Sequence, residues 1–426
     1  MEKENKAALV PKLRFPEFRN KGPWSRLLLS ELLRERKQRN RDLRFGPSEV
    51  LSVSGDHGCV NQIELLGRSY AGTSVKEYHV VETGDLVYTK SPLKRNPYGI
   101  IKENKGKPGI VSTLYAVYHV TGIGHSAYLD HFFSSDYNLN SYLQPIVRKG
   151  AKNDMKVNNA AVLTGEIWVP QMKEQRKIAD CLNSLNELIA AQRRKVEALK
   201  TYKRDLIQQL FPLEGETLPR LRFPEFHNAP AWKSTTLDAL VDFQSGGTPS
   251  KANPAFWNGS IPWVSAKDMK RLFLDDSEDH ISASAVSDGA KLVPAGTVLL
   301  LTRGMTLLKD VPICVLRRKM SFNQDVKALR PKGKTEALFV AFLLLGNKRR
   351  LLKMVDIAGH GTGKLNTDEL KALKLTIPTL AEQQRISECI SSLDVQIEAE
   401  AEKLVVLNAH KDGLMQKIFP SLEGAK

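Results

Sequence analysis

Two stretches of the chain carry apolar residues at alternating four- and three-residue spacing. In the first, Ile178, Leu182, Leu185, Ile189, Val196, Leu199, Leu206 and Leu210 fill the register, with Gln192 and Lys203 in two polar slots. In the second, the register holds Ile386, Ile390, Leu393, Ile397, Leu404, Leu407, Leu414 and Ile418, with Glu400 and Lys411 in the polar slots. A seam sustained over about five heptads predicts a coiled-coil helix, and polar seam residues fix its register at a cost in stability. Each helix of about 37 residues would extend roughly 55 Å. Two exposed seams of matching length are most simply satisfied by pairing with each other.

The remainder lacks this periodicity. Turn signals punctuate it: SGDHG, NPYG, KGKPG and TGIG in one half, SGGTPS, NPAFWNG and VPAG in the other. Between them lie short β-branched runs such as Val80-Val81, 85–88 and 110–120. That alternation predicts short strands, loops and a few helices, an α+β arrangement.

The chain also repeats itself. PKLRFPEF at Pro11–Phe18 recurs as PRLRFPEF at Pro219–Phe226, an offset of 208 residues. The same offset relates Trp24 to Trp232, Pro170 to Pro378, Glu174-Gln175 to Glu382-Gln383, and Phe211-Pro212 to Phe419-Pro420. A period this long is a tandem of domains, not a solenoid. The expected plan is a lead-in at 1–23, a mixed domain at 24–170 and a helix at 171–212. A linker and second lead-in follow at 213–231, then a mixed domain at 232–378 and a helix and tail at 379–426. Lead-ins and helices match well, while the segments between share almost nothing beyond their ends. Two such copies approximate a two-fold dimer made covalent, with two readers that need not be alike.

Composition narrows the function. The 426 residues carry 63 Lys and Arg against 47 Asp and Glu, a formal net charge of +16. An excess this large points to a polyanionic partner, usually nucleic acid. Residues 1–212 hold 34 basic against 22 acidic residues, and 213–426 hold 29 against 25, so the first repeat carries most of the excess. Its basic segments include Lys90, Lys94-Arg95, 102–107 and 148–156, the last with Lys152 and Lys156. The four cysteines form no CxxC pair, which argues against a zinc ribbon or disulfide framework. Cys181 and Cys389 stand at matched positions and read as small buried residues. The N-terminal sequence lacks the apolar core of a signal peptide, and no apolar run approaches the ~20 residues of a membrane span. A cytoplasmic protein without a membrane partner is the expectation.

Candidate catalytic motifs are incomplete. Ala358–Leu365, AGHGTGKL, has Ala358 and Leu365 where a phosphate-binding loop needs Gly and Ser or Thr. It reads instead as a Gly-rich loop bringing Lys364 and Asn366 near phosphate. Arg95–Gly99, RNPYG, reads as a turn. The nine histidines show no metal-ligand spacing. In the second repeat, the small residues of 246–250, with Gly247, Thr248 and Ser250, suit close approach to phosphate. Lys251 and Lys267 lie nearby in sequence. Arg303 follows the run VLLL at a strand end, and Arg is the usual partner of guanine in the major groove. Trp257 and Trp263 read as packing residues.

With these motifs assembled, the chain resembles the specificity subunits of type I restriction-modification systems. The resemblance is carried by the paired LRFPEF lead-ins and by the helix starts VPQMKEQRKIADCL and IPTLAEQQRISECI. The segments 84–101, 109–115 and 245–270 carry it as well. It implies two α+β target-recognition domains separated by two long helices paired as an antiparallel coiled coil, with pseudo-two-fold symmetry. It implies a non-catalytic chain without cofactor, each domain reading half of a split duplex DNA target. The helices would set the spacer and dock two modification subunits through positions such as Ile178, Leu182, Leu185, Ile189, Ile386, Ile390, Leu393 and Ile397. S-adenosylmethionine, ATP and Mg would belong to the modification and restriction subunits. A basic RNA-binding protein, or an enzyme with its own modification chemistry, stands as the alternative.

Overall fold

The computed structural model describes residues 9–55, 57–91, 93–149, 155–358 and 361–419. The chain forms two compact units, one of residues up to Arg193 with those from Glu402 onward, the other Arg194–Ala401. The division falls inside both long helices, Met172–Leu210 and Leu380–Ile418. Each unit thus holds the start of one helix and the end of the other.

The reason lies in the apolar helix ends. In the first unit, Ile178 and Leu182 share a core with Met415, Ile418 and Phe419. In the second, Ile386 and Ile390 share a core with Leu206, Leu210 and Phe211. The helix segments run antiparallel within a unit. In the second unit, Lys195 Nζ lies 2.8 Å from Glu400 Oε1, and Lys203 Nζ lies 2.5 Å from Asp394 Oδ1.

The first unit pairs Ser25–Leu28 with Glu166–Val169. Its main sheet is antiparallel, in the order Leu33–Glu35, Tyr115–Val120, Leu86–Thr89, Ile100–Glu103. Leu86 and Tyr88 face the main core, and Val87 faces a second cluster with Val81, Val111 and Val117. Both faces are covered, which is why the run reads as continuously apolar. The apolar run 110–120 is two strands, Gly109–Val111 and Tyr115–Val120, divided by a turn in which Tyr115 N donates to Ser112 O.

The second unit pairs Lys233–Thr236 with Lys374–Ile377, matching the first unit residue for residue at the offset of 208. Its main sheet runs Val241–Ser245, Val326–Pro331, Val298–Leu301, Ile313–Leu316, with Phe273–Leu274 added at the edge. The first four strands repeat the order of the first unit's sheet. The two middle segments diverge in sequence yet share topology. Ala337–Gly346, ALFVAFLLLG, corresponds to Ser126–Phe133 and is apolar all round because the core surrounds it.

One polar arrangement is common to both units. The Glu174 carboxylate receives Arg14 Nε at 2.8 Å, Arg14 Nη2 at 2.7 Å and Trp24 Nε1 at 3.3 Å. The Glu382 carboxylate receives Arg222 Nε and Nη2, each at 2.8 Å, and Trp232 Nε1 at 3.1 Å. The neighbouring glutamines act equally in parallel. Gln175 Nε2 donates to Pro170 O, and its Oε1 accepts from His125 N at the start of Ser126–Phe133. Gln383 donates to Pro378 O and accepts from Glu336 N at the start of Ala337–Gly346. Each lead-in also closes over a helix end: Leu13 N donates to Lys417 O, and Leu221 N to Gln209 O.

Both carboxylates are almost wholly enclosed, so removing one leaves a buried guanidinium unpaired. Glu174→Ala and Glu382→Ala should each lower stability by about 3 kcal/mol, read by denaturant unfolding. A loss below about 0.5 kcal/mol in either would contradict the assigned role.

Candidate nucleic-acid interface

The second unit gathers its candidate residues through backbone hydrogen bonds. Gly247 N donates to Phe322 O at 2.9 Å, seating the GGTPS loop beside the 323–325 turn. The Thr248 hydroxyl bonds the Gln324 side-chain carbonyl. Thr302 N and Arg303 N both donate to Asp325 O, and Leu365 N donates to Thr302 O. Loop, turn, Arg303 strand and Lys364 strand therefore form one connected surface. Thr248, Ser250, Lys251, Gln324, Arg303 and Lys364 are all exposed on it.

Two indoles anchor the loop. Trp263 Nε1 donates to Gly247 O at 2.9 Å and Trp257 Nε1 to Ser250 O at 3.2 Å, with the rings edge-to-face 5.0 Å apart. Trp263 is buried with Ile281 and Ala285. These tryptophans hold the loop as packing residues. Gly246 is required on steric grounds: a Cβ there would lie 2.2 Å from Asn323 O and 2.3 Å from Phe322 O. At Gly247 a Cβ would meet only Gly289 O, at 3.7 Å.

The Gly-rich segment before the closing strand is a β-hairpin, not a loop. Val355–Ala358 pairs with Thr362–Leu365, which pairs in turn with Arg303–Gly304. Its inner face is set by the buried Leu365 and by Gly363, where a Cβ would lie 2.7 Å from Leu307 Cβ. The outer face carries Arg303, Lys364 and Asp356 directly opposite one another across three strands.

The remaining sequence candidates fall elsewhere. Lys267 Nζ lies 2.9 Å from Asp279 Oδ2 and 3.2 Å from Glu278 Oε2, so its charge is answered within the protein. The Asn366 side-chain oxygen caps the short helix Thr367–Ala372, accepting from Asp368 N at 2.8 Å. The cap uses the side-chain oxygen, whereas a phosphate contact would use the Nδ2 donor, so the cap orients the side chain without deciding its reading as a phosphate contact. In the first unit, Lys94 and Arg95 are exposed and line an open cleft with Lys102 and Lys411. Burial lowers the pKa of Lys90 and of Lys411. Lys152 and the side chain of Lys156 lie outside the described residues. RNPYG forms a turn, with Gly99 N donating to Asn96 O. Gln324, Lys327 and Asp356 join the surface without having been singled out in the sequence. Lys327 Nζ donates to Ser245 Oγ at 2.5 Å.

Of the helix residues, Ile178, Leu182, Ile189, Ile386 and Ile390 are buried, and Leu185, Leu393 and Ile397 are half-buried. The buried five serve helix packing and cannot also meet a docked subunit, a correction to their double assignment. The exposed apolar side chains on the helices are Leu188, Tyr202, Val395, Val405 and Val406. Cys181 and Cys389 are half-buried rather than buried, while Cys59 and Cys314 are enclosed and their thiol pKa values raised by burial. Burial also lowers His79 and His131 to about 4, so both rings are neutral near pH 7. Among the described residues no group of three or more His, Cys, Asp or Glu could hold a metal ion, and no helix is long and apolar enough to cross a membrane.

Comparisons with known proteins agree on one family. The fold is similar to that of solved chains from type I systems. A chain from work on complex assembly and conformational transition of the type I R-M system matches with a TM-score of 0.56 at 20% identity, over 93% of this chain and 97% of that one. The type I restriction-modification S subunit from M. genitalium matches with a TM-score of 0.57 at 13% identity, over 97% and 100%. At these identities the likeness is one of fold. Residues 230–409 match the family described as Type I restriction modification DNA specificity domain. The EcoR124I/EcoR124II specificity subunit of Escherichia coli is 34% identical over 38% of this chain and 40% of its own length. The MjaIX specificity subunit of Methanocaldococcus jannaschii is 25% identical over 46% and 45%. The chain thus spans less than half the length of these two relatives. In these stretches it is similar to the specificity subunits of type I restriction-modification systems, and over nearly its whole length it shares their fold.

The two glycines of the loop separate steric need from mere smallness. Gly246→Ala should lower the stability of the second unit by about 1–3 kcal/mol, whereas Gly247→Ala should stay within about 0.5 kcal/mol. Thermal unfolding of both variants tests this, and equal losses would refute the anchoring described.

Proposed function

We propose that the chain is a non-catalytic DNA-recognition subunit, each unit reading one half of a bipartite duplex target. The observation that carries this reading is a duplicated frame bearing two unlike surfaces. The clasp, the lead-in and the four-strand order repeat, while the exposed loop 246–251, GGTPSK, is matched at the offset of 208 by the unlike QRNRDL of 38–43. Shared frame and divergent surface suit a target with two unlike halves. The helices set the spacer between half-sites, and their exposed apolar residues suit docking of modification subunits that supply S-adenosylmethionine and methylate adenine. Restriction subunits with ATP and Mg add cleavage. A cytoplasmic site of action follows from such a partner set. The net charge of +16 favours phosphate, with the first unit contributing more.

Methylome sequencing of cells carrying this chain with its cognate modification subunit should yield one split target, and the isolated chain should show no methyl transfer. Methylation by the isolated chain would overturn the reading. Inserting whole helical turns after Ala191 should lengthen the spacer and leave both half-sites intact, and changed half-sites would refute the ruler role of the helices.

A further inference from the structure

The outer face of the three-stranded sheet holds an acid among cations. Arg303, Lys364 and Asp356 are opposite residues on neighbouring antiparallel strands, so their side chains stand on one face. All three are exposed, and none makes an ion pair or side-chain hydrogen bond among the described residues. Asp356 does not close on Lys364, although the two are direct cross-strand neighbours.

A surface that meets only phosphate has no use for a carboxylate, because the backbone presents nothing but negative charge and acceptors. Base edges differ, since the major groove also presents exocyclic amino donors, and a carboxylate is the natural acceptor for them. The element is also repeated. In the first unit Arg148–Lys149 pairs with Met155–Lys156, with Arg148 opposite Lys156. At the offset of 208, Lys156 corresponds to Lys364 and Arg148 to Asp356. The two hairpins thus keep one lysine position and exchange charge at its cross-strand neighbour. A phosphate contact gains nothing from such a reversal, whereas a change of contacted base can use one.

We infer that Asp356 is a specificity-determining residue of the second unit, accepting a hydrogen bond from an exocyclic base amino group in the major groove, with cytosine N4 the usual partner of a carboxylate. This rests on the reading of the chain as a DNA-recognition subunit. Lys364 and Arg303 flank it, and the rigid inner face built on Gly363, Leu365 and Leu307 fixes the row.

The test uses the complex with its modification subunit. The wild-type methylome first defines the split target, and absence of any split target there is failure of the parent reading, not of this one. Asp356→Ala and Asp356→Arg then leave melting unchanged, since Asp356 is exposed and makes no side-chain hydrogen bond or ion pair among the described residues. The expected result is altered methylation at one base position of a single half-site. Discrimination at that position falls about ten- to a hundredfold in duplex binding, with the other half-site and the spacer retained. An unchanged half-site overturns the proposal. If binding also tightens uniformly across sequences, Asp356 faces the backbone; if binding is unaffected, it faces solvent.

Discussion

Everything in this fold is referred to a buried carboxylate at the start of each long helix. Glu174 and Glu382 each receive a guanidinium and an indole N–H, and so tie three parts of the chain to one point. Those parts are the lead-in, the residue before the first strand and the helix itself. A buried charge must be met this completely, because an unpaired one costs several kcal/mol. The adjacent glutamines extend the fixation from the long helix to the start of the helix that covers the main sheet. The orientation of each sheet on its scaffold helix is therefore set by hydrogen bonds rather than by apolar packing alone.

The helix seam uses its polar slots differently in the two units. In the second, Lys203 meets Asp394 and Lys195 meets the buried Glu400. Burial raises the pKa of Asp394, with the nearby Lys203 opposing that rise. The position equivalent to Asp394 in the first repeat is Asn186. There Lys411 is lowered by burial and lies within the field of Lys102, Lys105 and Asp130, beside the cleft that Lys94 and Arg95 also line. One seam closes its lysine within the scaffold. The other leaves its lysine in a cationic cleft, and the greater basic excess of residues 1–212 lies on the same side of this asymmetry.

Period and motif made much of this legible in advance. The heptad register located both helices, and the 208-residue offset located the clasp residues before any contact was known. What was hidden is what depends on long-range pairing. The same strand order recurs in the two middle segments although their sequences diverge, because topology is set by which faces are apolar and not by particular side chains. Which side chains of the two helices meet was hidden for a related reason: a heptad seam says that a helix is covered but not by which residues. The site was partly legible. Arg303, Lys364 and the small residues of 246–250, each singled out separately in the sequence, lie on connected strands and loops. Lys267 was indistinguishable in sequence from a free lysine, and its two acids lie 11 and 12 residues onward. Asn366 also carried the visible signal of a helix start, Asn followed by Thr-Asp-Glu, and its side-chain oxygen caps that helix.

The same logic explains where divergence can accumulate. A position can change freely only if its neighbours do not depend on it. The clasp, the inner hairpin face and the loop anchors fail that condition, because each change would strand a buried donor or force the backbone apart. The outer hairpin face meets it. Arg303, Lys364 and Asp356 touch no side chain by hydrogen bond or ion pair among the described residues. Their backbones are held by the strand ladder whatever side chains they carry. A ladder that holds position without specifying side chains allows the outer face to change by substitution on a fixed frame. The charge reversal between Arg148 and Asp356 is what such a frame permits.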